Sequence, residues 1–424
     1  MDLWTEFDNA RPAPDAHGYV QPLRSRRLTE RAILTSLREW LLHDYAAAYC
    51  RSLAATRIFR RCYWVDGLGM ESRAGASGVS GISGVSPGED RNHNGSERKK
   101  TTSVPQALQS IVSLSQLLAR EQKPIALHGL LLGTSSKRKE AKTGANAAVA
   151  IPKGSGIVKA GWPEAAPALL KEIEQAPAIF LLNPFGPVQF SYEDLAPLYQ
   201  RTVPTELCLL APHKQLEARL SVARRNPAQA ALLTAVLRSD RWKTLPEGED
   251  KLTLALDGLL ELFIASMQRH FQLPVQRVAL PMQVRPATVE EVPYTLIFAT
   301  RRQDSIITMN DAACLHRRAI QASSRQGVLG EEWFVRQEQQ RLSAQVQQLY
   351  QRALQQGRAQ RARRWPDLRQ QLLLAQFGQF TLQEYDAVMQ QLLTNSEVRC
   401  ERRARNVKGE DAPVPSNEDT LLWR

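Results

Sequence analysis

Two short stretches in this chain could meet a ligand: Asp66-Gly67-Leu68-Gly69 and Asn183-Pro184-Phe185-Gly186. Each follows an apolar run directly. Pro184 ends sheet pairing, and Gly186 lets the backbone turn steeply or pass close to another group. Asn183 then offers an amide and Phe185 a ring beyond the strand. An acid with two glycines after a first buried strand is how many nucleotide and S-adenosylmethionine sites begin, because only glycine lets the backbone approach the ligand. A plain glycine turn and an ordinary strand-to-loop exit have the same composition, and both alternatives stay open. A third set is cationic. Arg361, Arg363 and Arg364 end a long polar stretch, and Arg402, Arg403 and Arg405 form a later cluster. Such groups gain by displacing counterions from phosphates, although a solvated helix face would look alike.

The elements that must position these residues follow from periodicity. Apolar residues at helical spacing predict a helix over 28–53, with Ile33, Leu34, Leu37 and Leu41 on one side. Strands are predicted at 60–66, 125–132, 179–182 and 206–210, with a poorly formed one near 156–160. Ile179, Phe180, Leu181 and Leu182 leave no polar face, so their strand must be covered on both sides, as in a parallel sheet between helices. In such sheets ligands lie beyond the carboxyl ends of the strands, which is where Asp66 and Asn183 fall. A final strand pair is expected at 275–280 and 294–300.

The connections divide the chain further. Residues 1–28 read as a loose N-terminal segment and 29–325 as the α/β domain. Within that domain, 71–102 is a glycine- and serine-rich loop expected to be mobile, 134–161 a basic insertion, and 214–272 a helical insert covering the strand ends. Residues 326–364 read as a basic linker helix. Two short helical patterns and a basic hairpin over 365–424 have the order of a winged-helix module, a type that binds DNA or mediates protein contacts.

The chain of 424 residues suits about two or three domains. Its formal net charge of +12 favours a polyanionic partner, nucleic acid first. Five cysteines stand singly, without the spacing of a zinc or iron-cluster site, so no metal is expected. No membrane span and no leader are evident, and a cytoplasmic location is the expectation.

Set in order, these pieces resemble the three-Cys-motif partner (TcmP) family over about residues 30–320. Tyr63 to Gly69 (YWVDGLG) is similar to the family's Asp-Gly-Phe-Ala-Gly-x-Gly turn. Ser103, Pro105, Ala107 and Leu108 are similar to its helix start, Leu182 to Pro187 to its Asp-Pro-Phe-Gly element, and Glu206 and Leu207 to its Glu-Leu strand. Tyr294 to Thr300 with Met309 and Asp311 is similar to its closing segment. The resemblance implies a Rossmann-like, methyltransferase-type, mostly parallel sheet with a C-terminal extension. It also implies a cysteine-motif partner protein, and S-adenosylmethionine lined by Asp66, Gly67 and Gly69. In an active member Asn183, beside Pro184, would accept a hydrogen bond from a nucleobase amine while Phe185 stacks on the base. The departures are Leu68, Met70 and Glu71 in the glycine turn, Asn183 in place of the family's aspartate, and no acid after the second strand. They imply a degenerate cofactor site. The alternative is a non-catalytic adaptor binding a partner protein and nucleic acid through its C-terminal module.

Overall fold

The computed structural model describes residues 30–68, 106–133, 154–186, 190–285, 288–325, 330–402 and 414–424. The N-terminal segment, the loop expected at 71–102 and most of the insertion at 134–161 lie outside them.

Seven strands form one sheet: β1 (Arg61–Asp66), β2 (Ala126–Leu132), β3 (Gly156–Val158), β4 (Ala178–Leu182), β5 (Thr205–Pro212), β6 (Gln276–Arg285) and β7 (Thr288–Ala299). Their spatial order is β3-β2-β1-β4-β5-β7-β6. The five strands β3 to β5 in this order pair in parallel, whereas β7 runs antiparallel to both β5 and β6. Every residue of β4 and β5 is buried, as a strand covered on both faces requires. β6 is an edge strand. There its Pro281 removes no ladder hydrogen bond that a further strand would need, and a register shift separates Ala279 from Pro281.

Side chains alternate between two cores because successive strand residues point to opposite faces. Cys62, Trp64, Ile179, Leu181, Cys208, Leu210 and Phe298 face one side. That side is covered by α1 (Glu30–Trp40), a π-helical segment (Leu41–Ala46), α2 (Ala47–Thr56), α3 (Gln106–Arg120) and α9 (Gln303–Arg325). Tyr63, Val65, Phe180, Leu182, Leu207, Leu209 and Ile297 face the other. There the cover is α4 (Trp162–Ile173), α5 (Tyr192–Gln200), α6 (His213–Arg225), α7 (Pro227–Leu237) and α8 (Leu252–Gln268).

The helical insert therefore packs on a sheet face as well as above the strand ends. Leu216, Leu220, Leu259, Leu260, Phe263 and Met267 supply an apolar stripe that needs that face to leave water. The helix expected over 28–53 is present, interrupted by the π segment. From that segment Tyr45 donates a hydrogen bond of 2.9 Å to Glu206, the fully buried second residue of β5.

After α9 the chain continues into α10 (Glu331–Gln360), α11 (Trp365–Ala375), α12 (Leu382–Thr394) and the antiparallel pair β8 (Val398–Glu401) and β9 (Thr420–Trp423). Composition changes at residue 365, yet the packing is continuous. Trp365, Leu373, Tyr385 and Leu421 belong to the same core as Trp64. Buried Asn310 on α9 joins the parts, donating to the Phe380 carbonyl and accepting from the Gly378 N–H, both at 2.8 Å. Asp311 accepts from the Leu382 N–H at the start of α12.

Candidate functional site

The exits of β1 and β4 are adjacent, as the sheet order requires, but their side chains are committed to the scaffold. Asp66 is 2% exposed. Arg38 on α1 reaches it from Nε at 2.7 Å and from Nη2 at 3.3 Å, and the Leu68 N–H donates to the same carboxylate at 3.0 Å. The Gly67 N–H donates to the Leu181 carbonyl at 2.8 Å. A Cβ on Gly67 would lie 2.6 Å from the end of the Leu182 side chain, so a larger residue there would have to displace that leucine. Gly69 lies outside the described residues. Arg38 was missed from sequence; its signal was an arginine between Leu34, Leu37 and Leu41 on the apolar stripe of α1.

At the β4 exit, the Asn183 side-chain carbonyl accepts from the Phe185 N–H at 3.0 Å and its amide donates to Gln215 on α6 at 2.8 Å. The first contact is an Asx-turn that mimics a backbone turn. Pro184 is buried behind it. The Phe185 ring is 3% exposed and meets Phe263 of α8 edge to face, with ring centres 5.0 Å apart. This corrects the expectation that Phe185 stacks on a base: its ring is part of the core. The oxygen of Asn183 that was to receive a target amine already holds the turn. Of the described residues expected to line S-adenosylmethionine, the Asp66 carboxylate and the Gly67 N–H are thus engaged within the protein, and no methyl-transfer step follows from them.

The arginines present a different picture. A cleft of about 1220 Å³ opens between the end of α10, the linker to α11 and strand β9. Arg358, Arg361, Arg363, Arg364 and Arg424 line it, against two acids, Glu401 and Glu418. The backbone explains how a short linker gathers them. α10 stops at Arg361, whose φ of 47° is left-handed and whose N–H closes on the Arg358 carbonyl. The linker then runs extended beside β9, with the Arg363 carbonyl accepting from the Leu421 N–H at 2.8 Å. The Trp423 indole donates to the Ala362 carbonyl at 2.6 Å and lays its ring over Gly357, where no side chain would fit.

Arg358 is paired with Glu397 at 2.7 Å. Arg361, Arg363, Arg364 and Arg424 are exposed, and their side chains make no ion pair or hydrogen bond among the described residues. With five arginines against two glutamates the cleft keeps an excess of positive charge, which an anion would offset. Arg361, Arg363 and Arg364 were identified from sequence. Arg424 was not, because only the pairing of β9 brings the chain end to the linker.

Arg402 departs from expectation. It donates to Asp419 and to the Val414 carbonyl, both at 3.2 Å, and Asp419 is 3% exposed. Its charge is spent pinning the segment before β9, so it is a structural cation. Arg403 and Arg405 lie outside the described residues.

Among the described residues no group of three or more His, Cys, Asp or Glu is placed to hold a metal ion, and no helix is long and apolar enough to cross a membrane. No protein-family model, curated protein or solved structure matches the chain.

Proposed function

We propose that the chain is an adaptor of the three-Cys-motif partner kind, a methyltransferase-type Rossmann-like scaffold that binds nucleic acid through its C-terminal module. The observation that carries this is the cleft with four exposed arginines whose side chains have no protein partner among the described residues. Lysine and arginine sets of this sort neutralise phosphates and release condensed counterions, the dominant sequence-independent source of affinity for nucleic acid. The succession α11, α12, β8 and β9 supports a winged-helix reading of the module. A cysteine-motif protein is the second partner that the family resemblance implies.

Fluorescence anisotropy with a labelled DNA duplex tests the reading. The Arg361→Ala, Arg363→Ala, Arg364→Ala triple variant should bind on the order of tenfold or more weakly near 0.1 M salt. Equal binding by the folded triple variant would remove the cleft from the account.

A second reading, a cofactor-binding methyltransferase, is favoured by the strand order. β3-β2-β1-β4-β5 is the Rossmann sequence, with its switch point between β1 and β4, and the reversed β7 is the final antiparallel pairing expected of the methyltransferase type. Calorimetric titration with S-adenosylmethionine separates the readings. The adaptor gives no saturable heat, whereas a stoichiometric isotherm would restore catalysis.

A further inference from the structure

Resting on the nucleic-acid reading above, we propose that the C-terminal module grips the phosphate backbone of duplex DNA from its hairpin side, without reading sequence, and leaves α12 outside the groove. In a winged-helix arrangement α12 occupies the place of the helix that would enter a major groove. Its exposed face is Gln383, Ala387, Gln390, Gln391 and Thr394, and none is cationic. Its two acids are spent inside the protein: Glu384 holds Arg318 at 2.8 Å, and Asp386 holds Arg369 at 2.7 Å. A helix that enters a groove must pass between two phosphate strands, and this one brings no charge to offset them.

Four cations without a protein partner among the described residues lie instead in the cleft between the linker and β9. Arginines there reach phosphate oxygens, which position a protein on a duplex but carry no sequence information. The same cleft argues against a single strand. Strand-tracking sites combine cations with aromatic faces on which bases stack. Among the described residues that line the cleft, Trp423 is the single aromatic one, and it is already seated on Gly357 and bonded to Ala362. Exposed Leu422 beside it offers no ring.

The experiment compares the full chain and a Gln390→Ala, Gln391→Ala variant on AT-rich, GC-rich and mixed duplexes and on one single strand, all of equal length, by anisotropy at fixed salt. A thermal melt checks that the variant is folded. Affinities for the three duplexes should agree within about threefold, against the 10³-fold or more that separates specific from non-specific sites. The single strand should bind more weakly, and the glutamine variant should match the wild type. Tighter binding of the single strand, a strong preference for one duplex, or loss of binding in the glutamine variant would overturn the inference while leaving nucleic-acid binding intact. Failure to bind any of the four probes would overturn both.

Discussion

Asp66 and Arg38 are each almost wholly withdrawn from water, and a charge so placed is tolerated only while its counter-charge is present. Replacing Asp66 with Asn takes from buried Arg38 the carboxylate it meets at 2.7 Å, so denaturant unfolding should show a loss of about 3 kcal/mol. Unchanged stability would instead mean that the carboxylate is not needed by the fold and is open to a ligand. Glu206 makes a second residue-scale case. It accepts hydrogen bonds from Tyr45 at 2.9 Å and Ser305 at 3.1 Å, yet full burial pushes its carboxyl up from 4.5 to about 7. The folded state therefore holds the proton more tightly than the unfolded chain. As pH rises from about 4.5 to about 7 the unfolded chain ionises first, so stability falls across that window and flattens above it. The fall is on the order of 3 kcal/mol. Glu206→Gln, neutral at every pH, should flatten the pH profile of unfolding free energy over that range. A variant profile as steep as the wild type would assign the slope to other groups.

At the scale of elements, the central strands were legible because their signal is local: a short apolar run such as Ile179 to Leu182, closed at once by Asn183 and Pro184, fits a doubly covered strand. The two C-terminal helices were legible as well, since Leu368, Leu372 and Leu373, then Tyr385, Val388, Met389 and Leu392, repeat at helical spacing. What decides the role of each site residue was not legible, because it comes from far away in sequence. Phe185 looked available until Phe263 closed on it from α8, and Asp66 looked like a ligand group until Arg38 reached it from α1. Arg402 likewise depends on Asp419 across the hairpin. The contact between α10 and β9 has its own consequence. A methyl group on Gly357 would collide with the Trp423 ring, so Gly357→Ala should displace β9 from the linker, lower the melting temperature and weaken duplex binding together. A variant with wild-type melting and binding would show that β9 is not held by this contact.

Across the whole molecule, the C-terminal module is tied to the sheet through α9, with Asn310 and Asp311 holding the start of α12 and Arg318 holding Glu384. These residues lie in or beside the segment that resembles the family's closing motif, and their work here is docking. The arginine cleft is consequently tied to the sheet, so on the proposed reading a nucleic acid bound there would be held in a defined position relative to the scaffold. A net charge of +12 would draw a polyanion from a distance, but counterions are released only where cations reach the phosphates. The most direct measurement is the salt dependence of duplex affinity. With four free arginines on phosphates, the plot of log affinity against log salt should have a slope near −3 to −4 from this cleft, at about −0.9 per phosphate. Replacing Arg361, Arg363 and Arg364 with alanine should bring the slope about 2 to 3 closer to zero. An unchanged slope in the folded triple variant would contradict the account, because the phosphates would then be held elsewhere.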